Sequence, residues 1–261
     1  MAGEWLWGGL LVGAMVLFAV AGTLFVRRWV TAEVLKLNNE VAGFIYAVIG
    51  VIYAVLLGFT AIIVWEKFDQ LEAVVEREAN ELADLYRDSQ TFPDDVRREV
   101  ETHLRDYARL VVEKEWPAMV EGKSSPEAWE AYNRLWRTYH RFQPQNERQK
   151  IWYVQSLTRL NELGDQRRLR LLGSRGGMPA LMWVVLLGAG VVTVGFSFFF
   201  STRNTTAQVL MTAGLAITIS LVLLAILAMH HPFAGITRVE PDAFNQVLEI
   251  VDLGSLPSYA R

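Results

Sequence analysis

The 261-residue chain contains no cysteine, which excludes disulfide bonds, thiolate metal sites and cysteine nucleophiles. It also lacks a GxSxG elbow, a phosphate-binding loop and a dinucleotide fingerprint. Its four histidines are scattered without the spacing of metal ligands, and its carboxylate pairs lie among other charged residues of helical segments. We therefore predict that the protein is not an enzyme and that it holds neither a metal ion nor a cofactor.

Four long stretches lack charged residues altogether, namely 5–26, 42–65, 179–201 and 207–229. Each runs for roughly 20 residues, the length that a helix needs to cross a hydrocarbon core of about 30 Å. The first stretch has no basic residue before it and is too long for a cleaved signal, so we interpret it as a retained helix. The absence of ionisable residues argues against a proton-coupled transporter but permits a passive channel.

The charged residues are concentrated between the second and third apolar stretches. Residues 66–178 carry 40 of the chain's 53 charged side chains, 19 basic and 21 acidic, and this balance offers no basic stripe for nucleic acid. We predict an all-α integral membrane protein with four transmembrane helices in two hairpins and a helical cytoplasmic bundle between helices two and three. The domains are then the first hairpin at 1–65, the bundle at 66–178, the second hairpin at 179–229, and a C-terminal turn with a short docking helix at 230–261.

Basic residues near the ends of the apolar stretches predict the orientation, because cytoplasmic loops are enriched in lysine and arginine. Arg27 and Arg28 follow the first stretch and favour one orientation. A larger set favours the other: Lys67, Arg77, Arg167, Arg168, Arg170, Arg175 and Arg238. We therefore predict a multi-pass protein of the bacterial inner membrane whose termini and 66–178 domain are cytoplasmic.

Apolar spacing predicts helices throughout the polar domain. From residue 66 to residue 89 apolar side chains recur with nearly heptad spacing and no glycine or proline interrupts them, so the second transmembrane helix should continue as a stalk. A helix at 94–120 should kink or end at Pro117. Another should start at Ser125 and Pro126, and a return helix at 145–172 should be broken at 173–177.

Small residues recur along one face of the second apolar stretch: Gly43, Ala47, Gly50, Ala54, Gly58 and Ala61. Such a face lets helices pack closely in lipid, which is one interpretation. The other is that several copies ring an axis and that this face, with the hydroxyl residues beside it, lines a pore. The lining candidates are Tyr46, Gly50, Tyr53, Ala54, Gly58 and Thr60. The candidate charges at the pore mouth are Glu66, Lys67 and Arg77.

Two charged clusters of the polar domain are candidates for an ion network that joins its helices. The residues are Glu76, Asn80, Arg87, Glu115, Arg167, Arg168 and Arg170. The alternative is that these side chains are merely solvated, as charge runs on helices usually are. A basic cluster close to the bilayer could also contact anionic lipid head groups.

The last apolar stretch is followed by an apolar turn instead of a charged tail. Pro232 should stop the helix, because proline cannot continue it. Phe233 should fill a seam between helices or subunits, and Gly235 should reverse the chain. The following segment should then dock on the bundle through Phe244, Val247, Leu248 and Val251.

Five groups of motifs run in order along most of the chain. They are Glu76-x-Glu-Ala-Asn80 with Leu85-Tyr-Arg87, Tyr107 with Glu115-Trp-Pro117, Leu160-Asn161 with Asp165-x-Arg-Arg-x-Arg170, Pro179 with Trp183, and His231-Pro-Phe-x-Gly235 with Val239 and Pro241. As a set they resemble the bacterial bestrophin-like domain family, which is distantly similar to the bestrophin anion channels. The resemblance implies a homo-oligomer, a pentamer by analogy, whose other partners are the lipid bilayer and inorganic ions. The acidic calcium clasp of animal bestrophins is not implied, because His231 stands where they carry an acidic residue.

We therefore predict a homo-oligomeric, passive ion channel whose pore is lined by the second transmembrane helix. No charged ring lies in that span, so selectivity would come from tyrosine ring edges, which are electropositive, and from basic residues at the mouth. This favours anions. The alternative is a non-conducting membrane scaffold or sensor whose helical bundle binds an unidentified partner protein.

Overall fold

The computed structural model describes residues 2–31, 34–35, 39–200, 202, 204–235 and 237–253, and within them the chain is helical without any strand. The all-α prediction is confirmed. A π-helical segment, Val111–Glu115, joins α3 to α4, and a 3₁₀ turn, Ser197–Phe199, follows α7. The α-helices are α1 (Ala2–Trp29), α2 (Asn39–Ser89), α3 (Asp94–Leu110), α4 (Trp116–Val120), α5 (Pro126–Arg141), α6 (Glu147–Arg175), α7 (Ala180–Phe196), α8 (Thr205–Met229) and α9 (Asp242–Leu253).

Four helical stretches are long and apolar enough to cross a membrane. They are Gly8–Trp29, the apolar part of Asn39–Ser89, Ala180–Phe199 and Thr205–Met229. These stretches coincide with the four uncharged runs of the sequence, and the chain is a multi-pass membrane protein.

The chain forms two compact units, which we call the membrane unit and the polar unit. The membrane unit comprises the described residues of Met1–Lys67, Gly177–His230 and Gly235–Thr237. The polar unit comprises those of Phe68–Gly176, His231–Ala234 and Arg238–Arg261. Helix α2 is uninterrupted and contributes residues to both, so the predicted continuation of the second transmembrane helix into a stalk helix is confirmed.

In the membrane unit α1 packs most extensively on α8, and the two helices are antiparallel. Gly8 lies against Leu224 near one end of the pair, where a Cβ would come within 2.5 Å of Leu224 Cδ1. Near the other end Arg27 donates from Nε to Gln208 Oε1 at 2.7 Å. The order of the helices along the chain predicted hairpins of neighbours. In the structure the first transmembrane helix packs most extensively on the fourth, where a glycine permits the close approach, and the third also contacts the fourth.

In the polar unit, α2 beyond Lys67 packs with α3, α5, α6 and α9 around one apolar core. This core includes Leu82, Leu85, Leu104, Leu135, Leu160, Leu163 and Phe244. Side-chain caps start two of its helices: Ser125 Oγ accepts from the Ala128 N–H at 3.1 Å, as the Ser-Pro-Glu sequence predicts, and Asn146 Oδ1 accepts from the Gln149 N–H at 2.9 Å. After α4 the chain reverses at Gly122, whose φ of 68° suits glycine and closes a Schellman motif.

The return helix α6 is longer than predicted, because Gly173 does not break it. Gly173 stays helical and lies against Leu71 of α2, where a Cβ would come within 2.1 Å of Leu71 Cδ2. The helix ends instead at Arg175, before Gly176. Here glycine serves close packing between two helices, a use that the sequence alone does not distinguish from a break.

Candidate functional site

One side of α2 faces the core of the membrane unit and carries two of the predicted pore-lining residues. Tyr53 and Thr60 are each only 4% exposed. The Tyr53 hydroxyl lies against Gly190 of α7, where a Cβ would come within 2.7 Å of Oη. Thr60 Oγ1 donates to a backbone carbonyl of its own helix at 2.8 Å. Helices of the same chain enclose both side chains, so neither lies on an outer face of α2.

The small-residue row of α2 is uncovered in the single chain. Ala54 and Gly58 are exposed and Gly50 is half-exposed. A Cβ added at Gly50 or Gly58 would meet no described atom of another part of the chain within 4 Å. Since an α-helix turns by about 100° per residue, this row lies roughly 110° around α2 from Tyr53 and Thr60. The lining candidates therefore separate into an open row and a packed side.

Tyr46 belongs to the packed side as well, near the start of α2. Its ring stacks on Phe196 at a centroid distance of 6.1 Å and meets Phe200 edge-on at 5.2 Å. Beyond the small-residue row α2 exposes a second, bulkier strip, formed by Val51, Val55, Phe59 and Ile62. Two neighbouring faces of α2 are thus available to contact other molecules.

The predicted mouth charges lie on the next turns of α2. Glu66 is exposed, and Lys67 is half-buried. Arg77 is exposed and donates from Nε to the Ala73 carbonyl oxygen at 3.0 Å. On a helix of 3.6 residues per turn Lys67 points about 100° away from Glu66, whereas Arg77, eleven residues after Glu66, points in nearly the same direction as Glu66.

A buried ion network in the polar unit joins α2, α6 and the π-helical segment. Arg170 donates from Nε to Glu78 Oε2 at 2.6 Å and from Nη2 to Glu78 Oε1 at 2.9 Å. The same Nη2 donates to Glu115 Oε2 at 2.8 Å. Arg167 donates from Nε to Glu115 Oε2 at 3.3 Å, and the Tyr107 hydroxyl donates to Glu78 Oε1 at 2.6 Å.

The charges of this network balance, which permits their burial. Glu78, Glu115 and Arg170 are fully enclosed, and Arg167 is nearly so. Burial alone would lower the pKa of Arg170, but Glu78, Tyr107 and Glu115 together outweigh burial and raise that pKa above its ordinary range. Burial, with the charge of Glu78, also raises the pKa of Tyr107 well above 10, so its hydroxyl stays a donor. Two acids and two guanidinium groups satisfy each other, which a buried ion pair requires.

The π-helical segment places Glu115 in the network. The Trp116 N–H donates to the Val111 carbonyl oxygen, five residues back, so this turn is wider than an α-helical one. Pro117 has no N–H, and in a regular α-helix its ring would clash with the carbonyl group of Glu113. The wide turn relieves this clash and brings Glu115 to the inside. The predicted kink or end at Pro117 thus takes the form of a π-helical segment before the proline.

Trp116 connects the network to the C-terminal part of the polar unit. The Arg170 guanidinium lies 5.5 Å from the Trp116 ring centre and 5.7 Å from that of Phe244. Phe233 meets Trp116 edge-on at 5.6 Å, and Trp116 Nε1 donates to the Val239 carbonyl oxygen at 3.3 Å. Cations over aromatic faces and edge-on ring pairs are both favourable. Phe233 therefore fills a seam within its own chain, beside the predicted docking helix α9.

The turn that contains Phe233 follows the end of α8 at Met229. The Ala234 N–H donates to the His231 carbonyl oxygen at 3.0 Å, and the Val239 N–H donates to the Pro232 carbonyl oxygen at 2.8 Å. Gly235 lies in the bend that follows. The helix ends before Pro232, as the missing N–H of proline predicts.

Four residues predicted for the network lie outside it: Glu76, Asn80, Arg87 and Arg168. Glu76 and Asn80 are exposed and line a surface groove of about 720 Å³ between α2 and α9. Arg87 and Arg168 are exposed and pair with the carboxylates three residues before them. These pairs are surface contacts, which contribute little to stability.

Sequence reasoning missed Glu78 and Tyr107 as members of the network. Glu78 occupies a position of the stalk repeat that is otherwise apolar, between Val75 and Leu82. An acid in an apolar stripe indicates a buried charge that must be paired. That signal was present in the sequence, but it does not identify the partner.

Comparisons with known proteins agree with this architecture. A family model described as the bestrophin-like domain matches residues 13–244. The structure of a variant of a bacterial bestrophin homologue from Klebsiella pneumoniae has a TM-score of 0.69 at 13% identity, covering 94% of this chain and 99% of that one. A second structure of a Klebsiella pneumoniae homologue has a TM-score of 0.65 at 14% identity, covering 93% and 98%. A crystal structure described as that of a membrane protein has a TM-score of 0.67 at 13% identity, covering 92% and 97%. No functionally curated protein matches. At these identities the structural likeness shows a shared fold.

Proposed function

The chain belongs to the bestrophin-like family, and we propose that several copies of it form a passive ion channel around α2. The observation that carries this proposal is the open small-residue row, which no described helix of the same chain covers. The uncharged span around it suits a pore without fixed charges. A channel needs no catalytic group, so we also propose that the protein is not an enzyme.

We place Gly50, Ala54 and Gly58 at the pore and leave out Tyr53 and Thr60, since those two are packed inside the membrane unit. Glycine and alanine let helices come close to a common axis, and weakly polar constrictions gate ion flow readily. The bulky strip that contains Phe59 would then face the next copy or the lipid. The opposite assignment, with the bulky strip at the pore, is the outcome that the labelling experiment below distinguishes.

We propose that the channel favours anions and that five copies assemble, with the polar unit and both termini in the cytoplasm of a bacterial cell. With Tyr53 buried, its ring edge cannot face the pore. The preference for anions therefore rests on Arg77, because Lys67 lines a cavity where α2, α7 and α8 of its own chain meet, and Glu66 opposes it. The pentamer rests on the family, and the orientation rests on the basic residues near the ends of the spans.

The absence of cysteine makes a direct test possible, because any single cysteine that is introduced becomes the only thiol. Purified wild type and the variants Gly58→Cys, Phe59→Cys and Leu181→Cys are reconstituted in planar bilayers under a KCl gradient. We expect an anion-selective reversal potential and block of Gly58→Cys by a charged thiol reagent. Leu181 is exposed on α7 and is the control that should not respond. Block of Phe59→Cys without block of Gly58→Cys would refute the lining that we propose.

A second candidate function is a non-conducting scaffold or sensor, in which the small-residue row only packs helices together. The groove between α2 and α9 favours it, because the groove is open and its walls carry Glu76 and Asp242, which suit a basic segment of a partner protein. A silent bilayer with verified insertion of the oligomer would support the scaffold and contradict the channel.

A further inference from the structure

The membrane unit contains a cavity of about 280 Å³ where α2 leaves its apolar stretch, α7 begins and α8 ends. Its walls are apolar, with Ile63 and Val64 from α2, Met182 from α7 and Met229 from the end of α8. Lys67 reaches the same cavity four residues beyond Ile63, about 6 Å further along α2. The cavity therefore changes from apolar to cationic over one turn.

Among the described residues that line the cavity, Lys67 has the charged side chain, and His230 contributes an imidazole ring. Lys67 is half-buried, and it forms no hydrogen bond or ion pair with any described residue. The neighbouring Glu66 is exposed and does not line the cavity. A lysine in this setting buries its methylene stem along the apolar wall and keeps its ammonium at the rim. No described carboxylate therefore neutralises the ammonium group of Lys67 at the rim of the cavity.

The rim beside Lys67 is formed by packed and hydrogen-bonded groups around His230. His230 Nδ1 accepts a hydrogen bond from the Met178 N–H at 3.0 Å, so in the neutral ring the proton lies on Nε2. Gly177 lies against this ring, and a Cβ there would come within 2.7 Å of His230 Cε1. Trp183 meets the ring edge-on at 5.5 Å. Tryptophan is typical of the membrane–water interface, which indicates the depth at which the cavity opens.

We propose that this cavity binds one anionic phospholipid, with its phosphate at Lys67 and the first methylenes of an acyl chain along the methionine-lined wall. A soluble anion would match Lys67 but would leave the apolar wall without a partner. A zwitterionic lipid would match the wall but would bring its own cation to Lys67. Methionine side chains are flexible and polarizable, so they fit chains of variable shape.

The size of the cavity agrees with partial enclosure of a lipid. Ligand pockets usually measure about 300–1,000 Å³, so this cavity holds the head-group end and not a whole lipid. Beyond the cavity, α2 exposes the apolar side chains of Ile62, Ile63 and Phe59. In our proposal the rest of the lipid's acyl chain lies along them. The cytoplasmic leaflet carries the anionic lipids, and Lys67 lies at the end of α2 that we place there. The lipid site does not depend on conduction, so its test is separate from that of the channel.

The test measures lipid retention by native mass spectrometry of the purified full chain, titrated with phosphatidylglycerol or phosphatidylcholine. We expect the wild type to retain phosphatidylglycerol in preference, one per chain. Lys67→Gln should weaken that retention about fivefold, the effect of one basic residue at an anionic surface. Arg28→Gln is the matched control, because it removes an exposed basic residue at the end of α1. Equal loss in both variants would show general surface attraction and would overturn the proposal.

Further experiments distinguish a lipid from the other possible occupants of the cavity. Met182→Trp should fill the wall and displace the lipid while the oligomer remains intact, and thermal unfolding in phosphatidylcholine checks that this variant folds. Displacement of phosphatidylglycerol by inorganic phosphate alone would show a free-anion site and contradict a lipid. Met182→Cys carrying a photoreactive group should crosslink to lipid, and crosslinking to a second copy of the chain would show that a subunit fills the cavity instead.

Discussion

Replacing Arg170 by methionine should destabilise the polar unit by about 4 kcal/mol. Methionine keeps a long, unbranched side chain at this position but cannot make the two hydrogen bonds to Glu78 and the one to Glu115. All three residues are fully buried. Removing one partner of a buried ion pair costs about 3–5 kcal/mol, because the remaining charge is left uncompensated.

Thermal unfolding of the full chain in lipid nanodiscs, followed by tryptophan fluorescence, measures this loss. Trp116 and Trp129 lie over the network's guanidinium groups and report on it directly. For a unit of this size about 4 kcal/mol corresponds to a fall in Tm of roughly 14 °C. The matched control is Arg168→Met, two residues away on α6, whose exposed pair should contribute less than about 1 kcal/mol.

Equal Tm values for Arg170→Met and Arg168→Met would refute the reasoning. A double variant gives a second check, because Glu78→Gln removes the acid that Arg170→Met strands. We expect the double variant to be more stable than the sum of the two single losses allows, since both charges are then absent. Strict additivity would mean that Glu78 and Arg170 do not depend on each other.

Two further predictions follow from groups outside this network. Gly190→Ala should destabilise the wild type, because the added Cβ would meet the Tyr53 hydroxyl at 2.7 Å. It should be tolerated in a Tyr53→Phe background, since that hydroxyl has no hydrogen-bond partner among the described residues and its removal costs little. Tm values of the wild type, the two single variants and the double variant measure this. Burial lowers the pKa of His103 below 6.5, although Glu99 opposes the shift, so the folded state binds this proton less tightly than the unfolded state does. The corresponding stability is present above about pH 6.5 and is lost as the pH falls from there, and His103→Gln should flatten this part of a Tm–pH profile.

The membrane helices and the stalk could be predicted from the sequence because length and charge decide them locally. A run of about 20 uncharged residues has few alternatives to a membrane-crossing helix. Ser125 likewise starts α5 through a bond to an amide three residues later. Gly173 shows the limit of such reasoning, since its role depends on Leu71 of another helix. Local signals predicted helices, but not what glycine does between them.

The candidate site was predictable only in part, for a geometric reason. Helical spacing separates Gly50, Ala54 and Gly58 from Tyr53 and Thr60 by angle, but it does not say which side meets α7. Only the packed structure shows that the hydroxyl side is enclosed and the small-residue row is open.

The network has the same limitation. The sequence singled out Glu115, Arg167 and Arg170 as candidates, but the acid that pairs with Arg170 is 92 residues away on α2. Pairing over that distance depends on how α2 and α6 pack, and Glu115 reaches the site only through a π-helical turn. Residue types indicated that charges would be buried, and tertiary packing decided which ones meet.

The buried pairing of Glu78 with Arg170 constrains the rotation of α2 about its own axis. An apolar seam of leucine and valine would stabilise α2 against α6 as well, but apolar contacts tolerate small rotations and shifts of register. The bidentate pairing of Arg170 with Glu78 accepts one rotation of α2. Because α2 is a single uninterrupted helix, fixing its rotation at Glu78 also fixes the direction in which Gly58 faces, twenty residues earlier. If that row faces a common axis in every copy, as we propose, it needs this directional precision.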